Sequence, residues 1–182
     1  MEVQDSVALV TGANRGLGAA LAQALVAGGA RKVYAAARDP ARVTISGVEP
    51  IRLDVTRADE IVAAARDCGD VNLLVNNAGI SLHNGFVSAD ALAAARAEME
   101  TNYIAPLALS RAFAPVLDRH GGGAIVNVLS VLSWLNIPQC RHVQRLQGGS
   151  LVIDERLGGM LRGKGSRVPF DPSNRGEPCR ST

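Results

Sequence analysis

The residues best suited to chemistry lie in the run Thr11-Gly12-Ala13-Asn14-Arg15-Gly16-Leu17-Gly18. An apolar stretch, residues 7–10, comes before it, and a small-residue apolar stretch, residues 19–26, follows. A strand, a glycine turn and a helix start form a unit that can hold the phosphates of a dinucleotide. Gly12 is expected to permit a turn that a side chain would obstruct. Gly16 would let the backbone approach a pyrophosphate, and Gly18 would let the helix pack closely on the strand. The free amides and partial positive charge of the helix start attract phosphate oxygens. Three glycines alone also fit a plain tight turn.

Further candidates follow in chain order. Arg38 and Asp39 stand directly after a strand-like run, residues 32–37. A carboxylate at such a strand end can bind the ribose hydroxyls of NAD, whereas an arginine can hold the 2′-phosphate of NADP. Arg15 and Arg38 together could make charge-assisted bonds to that phosphate. Both also fit ordinary surface arginines, and Asp39 keeps NAD open. Asp54 lies in a third strand-like run, residues 51–55, ahead of a helical stretch, residues 58–68. There it could be a ligand group or a turn and capping carboxylate. A fourth run, residues 72–75, leads into Asn76-Asn77-Ala78-Gly79. Its amides can bond neighbouring backbone while its small residues leave room for a ligand.

These motifs, in this order, resemble the short-chain dehydrogenase/reductase family. The resemblance rests on the Thr11–Gly18 loop, on Asn76-Asn77-Ala78-Gly79, on Thr101-Asn102-Tyr103-Ile104-Ala105-Pro106 and on Ile125-Val126-Asn127-Val128-Leu129-Ser130. It implies a Rossmann-type α/β fold, a doubly wound parallel sheet. It also implies NAD(P)-dependent hydride transfer between a small-molecule alcohol and a carbonyl. By this resemblance Thr11, Gly12, Asn14, Arg15, Gly16, Leu17, Gly18, Arg38, Asp54, Asn77, Ala78 and Gly79 are cofactor-binding candidates. Asp54 would bond the adenine amino group, and Asn77 to Gly79 would line the nicotinamide side. Asn102 would kink its helix and hold a water of the proton relay, and Ser130 would polarise the substrate oxygen. The arginine pair favours NADP.

The pattern breaks where the chemistry most depends on it. The family carries Tyr-x-x-x-Lys on the next helix, the tyrosine as general acid/base and the lysine lowering its pKa. At the family spacing from Ser130, these positions hold Val143 and Gln147. The only tyrosines are Tyr34 and Tyr103, and the only lysines are Lys32 and Lys164. Impaired catalysis is therefore expected. A non-catalytic dinucleotide-binding protein is the alternative, and a tail acid such as His142 a third. The composition shifts at the same place: residues 141–182 carry eight Lys/Arg and four Asp/Glu, with three prolines after residue 168. Residues 1–140 are expected to form the nucleotide-binding domain, and residues 141–182 a poorly ordered tail, leaving the sheet incomplete on its C-terminal side. The family commonly forms homo-oligomers through its long helices, including the one missing here, so this assembly is not expected. A reading-frame shift after Cys140 would explain the break.

The elements that must position these residues are legible in outline. Residues 89–117 form a long helical stretch in which Ala91, Leu92, Ala95, Met99, Asn102, Tyr103, Pro106 and Leu109 recur at roughly helical spacing. Pro106 should bend it. Residues 124–129 form a fifth strand that ends at Ser130. The chain has 182 residues, 47% hydrophobic and only 3% aromatic, enough for one core of Val, Leu, Ile and Ala. Such a core suits a parallel sheet covered by helices. A net charge of +2 gives no case for nucleic acid or an acidic membrane surface. Residues 1–10 do not show the charged-then-apolar pattern expected of a signal peptide, and no apolar run is long enough to span a bilayer. Three scattered cysteines, Cys68, Cys140 and Cys179, point to free thiols in a cytoplasmic setting. His83, His120 and His142 form no ligand cluster with them, so no metal is expected.

Overall fold

The structure is a computed structural model that describes residues 2–82 and 88–129. Five strands alternate with helices: β1 (Val7–Thr11), α1 (Gly16–Ala27), β2 (Lys32–Ala37), β3 (Glu49–Arg52), α2 (Ala58–Asp67), β4 (Leu73–Asn76), α3 (Ala91–Met99), α4 (Ala105–Arg119) and β5 (Ala124–Asn127). The strand order is β3-β2-β1-β4-β5, with every pairing parallel. From β1 the chain winds outward to β3, then crosses back to β4 on the other side of β1. That reversal opens a crevice at the carboxyl ends of β1 and β4, where ligands bind in sheets of this kind. The doubly wound α/β expectation holds.

All five residues of β1 are buried, because helices cover both faces. Alternation divides its side chains between two layers. Val7 and Leu9 join Leu74, Ile125 and the α4 residues Leu109, Phe113 and Leu117. Ala8 and Val10 join Val33, Val75 and the α1 residues Ala22 and Leu25. Among the described residues Phe113 is the largest fully buried side chain. The scarcity of aromatic residues thus leaves a mainly aliphatic sandwich, with the rings of Phe113 and Tyr34 in one layer.

Two boundaries and one helix face differ from the sequence reading. The third strand ends at Arg52 rather than continuing to residue 55. Leu53 N–H still donates to Ala37 C=O, and the chain then turns at Asp54, whose Oδ1 accepts from Thr56 N–H and Oγ1. The long helix is interrupted before Pro106: Glu100–Ile104 forms a π turn between α3 and α4. Such wide turns are one recognised cause of helix kinks, and this one carries Asn102. Of the residues expected at helical spacing, Ala91 and Leu109 are buried, but Leu92 and Met99 are not on the covered face. Leu92 is 73% and Met99 42% exposed, while Ala91, Ala94 and Glu98 are buried.

Candidate functional site

The glycine loop and the ends of β1 and β4 are stitched together by one hydroxyl. Thr11 Oγ1 accepts from the N–H groups of Asn77 and Ala78, each at 2.9 Å, and donates to Val75 C=O at 3.3 Å. Asn77 Nδ2 returns a bond to Thr11 C=O at 2.8 Å. Thr11 is 1% exposed, so it lies under the floor of the site rather than on its surface.

Gly16 has φ +57°, and a Cβ there would meet nothing within 4 Å, so its backbone faces open space. At Gly18 a Cβ would run into the Gly12 carbonyl and the Asn77 amide, which fixes how closely α1 packs on the loop. The first turn of α1 holds no acidic residue, and Arg15 at its N-cap makes no side-chain cap bond. The helix start is therefore an unneutralised set of N–H donors beside an open cradle.

A cleft of about 340 Å³ lies over this cradle. It gathers Gly12, Asn14, Arg15, Gly16, Leu17 and Gly18 from the loop, Arg38 from the end of β2, and Asp54 after β3. Asn77, Ala78 and Gly79 line it from the β4 side. Every cofactor-binding candidate except Thr11 thus borders one cleft. Ile80 and Thr101 border it too; Thr101 belongs to the Asn102 motif but was not a cofactor-binding candidate, and Ile80 was not singled out. The phosphates, ribose and bases of a dinucleotide match this lining chemically: amide donors at the helix start, two guanidiniums, and a carboxylate.

Electrostatics distinguish the two carboxylates near β2. Burial pushes the Asp54 carboxyl up, but bonds from Thr56 and the charges of Arg38 and Arg57 outweigh it and hold the group below its ordinary value. Asp54 thus has the turn bonds of a structural carboxylate and also borders the cleft. Asp39 Oδ1 accepts from Ala41 N–H at 3.1 Å and caps the short 3-10 turn Pro40–Arg42. It is absent from the cleft lining, whereas Arg38 is present.

A second cavity, about 240 Å³, adjoins the first and is lined in part by Asn76, Asn102, Pro106 and Asn127. Asn102 pins the chain after Gly79 in both directions. Its Oδ1 accepts from Ile80 N–H at 2.8 Å, and its Nδ2 donates to Ile80 C=O at 2.7 Å. Asn76, 4% exposed, donates through Nδ2 to Asn127 Oδ1 at 2.8 Å and Ser110 Oγ at 3.3 Å, tying β4 to β5 and α4. Asn127 was legible as an amide within an apolar strand; its pairing with Asn76 was not. Ser130, Val143, Gln147 and the tail expected over residues 141–182 lie outside the described residues. Among the described residues no group of three His, Cys, Asp or Glu could hold a metal, and no helix is long and apolar enough to cross a membrane.

The profile of the short chain dehydrogenase family matches residues 6–141, from the strand before the glycine loop to beyond β5. The chain belongs to the short-chain dehydrogenase family. A short-chain dehydrogenase/reductase of Pestalotiopsis microspora is 33% identical over 154 residues, covering 82% of this chain and 57% of its own length. The D-erythrulose reductase of Gallus gallus is 39% identical over 132 residues, covering 69% of this chain and 53% of its own. The chain spans about half the length of these curated relatives. Among solved structures, a short chain dehydrogenase from Burkholderia cenocepacia in complex with NADP superposes with a TM-score of 0.86 at 38% identity. That match covers 98% of this chain and 79% of the other.

Proposed function

We propose that this chain binds NADP in the cleft at the ends of β1, β2 and β4. It descends from an oxidoreductase acting on small alcohols and carbonyls, and its own turnover is impaired. The observation that carries the reading is the convergence of the glycine cradle, Arg15, Arg38, Asp54 and the Asn77–Gly79 segment on one cleft. When bound, NADPH would supply the hydride for carbonyl reduction. The chain's residues would do the holding. Amides at the start of α1 would take the pyrophosphate, and Arg15 and Arg38 the 2′-phosphate. Asp39, engaged in capping its own turn, gives no support to ribose recognition of the NAD type. A family relative bound to NADP supports the same preference.

Impairment rests on Val143 and Gln147, neither of which can deliver a proton to a carbonyl oxygen. Titration with NADPH and NADH, followed by assay against a panel of ketones and aldehydes, tests both halves of the proposal. Tighter binding of NADPH with near-background turnover is expected. Failure to bind either dinucleotide would overturn the cofactor reading. Turnover in the ordinary enzyme range, about 1–10³ per second, would overturn the impairment. A soluble chain that keeps its cofactor affinity without any turnover would favour the second reading, a non-catalytic dinucleotide-binding protein.

A further inference from the structure

Glu98 is 3% exposed, on the covered stripe of α3 that begins with Ala91 and Ala94. A carboxylate on such a stripe is costly unless it is hydrogen-bonded. Its Oε1 accepts from Leu82 N–H at 2.7 Å. Four residues on, Asn102 holds both backbone groups of Ile80. The two side chains grip alternate residues of one segment, and that segment leaves the cleft: Asn77, Ala78, Gly79 and Ile80 all line it. Ala91 and Ala94 keep the stripe small ahead of Glu98.

We propose that Glu98 is a positioning residue that, with Asn102, clamps the segment after β4 so that its backbone holds the nicotinamide half of the cofactor. The inference rests on the dinucleotide reading above. Topology assigns the half. Arg38 lies beyond β2 on one side of β1, and the clamped segment follows β4 on the other. A dinucleotide with its 2′-phosphate at Arg38 must extend its other end toward Ile80. Glutamine keeps an oxygen acceptor at the same reach, and alanine removes it.

The test compares the full chain with Glu98→Ala and Glu98→Gln. Affinity is measured for NADPH and for adenosine 2′,5′-bisphosphate, which lacks the nicotinamide half. Hydrogen exchange at the Leu82 amide is followed in the same proteins. Glu98→Ala should weaken NADPH by about tenfold, the scale of one charge-assisted hydrogen bond. It should leave the bisphosphate unchanged and speed exchange at Leu82, while Glu98→Gln restores most of both. Equal weakening of both ligands, or no change in NADPH affinity, would overturn the assignment. Where Glu98→Ala does not fold, the parent chain decides: NADPH should slow Leu82 exchange and the bisphosphate should not, and equal effects would overturn it. If neither ligand binds, the dinucleotide reading falls. The clamp is then judged alone, and Leu82 exchange that is the same with Glu98, Gln or Ala would overturn it.

Discussion

In the proposed NADP site Arg38 would carry the choice between two cofactors, because it borders the cleft while the neighbouring carboxylate of Asp39 caps a turn. Arg38→Asp would replace the proposed 2′-phosphate partner with a like charge. The preference for NADPH over NADH should shrink by about 1–3 kcal/mol, the range for a lost hydrogen bond to a charged group. Fluorescence titration with the two cofactors measures it, and equal binding by the parent chain would refute the premise. Cys68 obeys different physics. It is 1% exposed, and burial, reinforced by the charges of Asp70, Glu49 and Asp67, pushes its thiol from 9.0 up to about 12. The thiolate is the reactive form. Cys68 should therefore resist iodoacetamide in the folded protein at pH 8 and label only with denaturant, as peptide mass mapping would show. The linkage has a definite sign. Between pH 9.0 and about 12 the unfolded chain loses the thiol proton first, so this group lowers stability as pH rises. Labelling of the native thiol at the unfolded rate would contradict the burial.

The strands and helices that bracket the site were largely legible, because a buried parallel strand reads as an unbroken apolar run and β1 is such a run. The loop, Arg38 and Asn77 to Gly79 were legible for the same reason: each follows directly on a strand. What the sequence concealed depends on contacts across the fold. Thr11 read as a ligand group, yet its hydroxyl joins the ends of β1 and β4 beneath the cleft. The face of α3 was only partly legible: Ala91 is buried, yet Leu92 and Met99 satisfy the same spacing and lie outward, while Glu98 is buried. Spacing identifies a face only when one face is clearly more apolar, and α3 is alanine-rich all round. Thr11→Val tests the stitching. Valine keeps the shape and leaves the Asn77 and Ala78 N–H groups without their acceptor, so stability should fall by about 1–3 kcal/mol. Urea denaturation measures that loss, and a neutral substitution would show that water takes over the bonds.

Across the whole molecule, the family match ends at residue 141, where the sequence also departs from the family chemistry. A shift of reading frame would account for both. Arg141 to Gly149 can be encoded CGG CAC GTA CAG CGC CTC CAA GGC GGC. Read from the second base, those codons give Gly-Thr-Tyr-Ser-Ala-Ser-Lys-Ala. The tyrosine and lysine then fall in the register counted from Ser130, at the spacing that places both on one helix face. Codons for residues 150–156 read on in the shifted frame as an alanine-rich stretch followed by Trp-Ser-Leu-Thr-Asn, again like the family helix. Residues 161–168 resemble the family segment before its sixth strand in the present frame, which suggests a second, compensating shift near Gly158. Synonymous codons were free to choose, so agreement in the alanines and serines counts for little. Two positions are not free. Tyrosine requires GTA at codon 143, because codon 144 begins with C, and lysine requires CAA at codon 147. Sequencing the gene decides the matter, and any other codon at either position defeats the idea, leaving a chain that lost its pair by substitution. With both codons present, removing one base after codon 140, and adding one near codon 158 where needed, should restore the acid–base pair. Carbonyl reduction with NADPH should then rise by about 10²–10⁴-fold over the parent chain, the usual contribution of general acid–base catalysis.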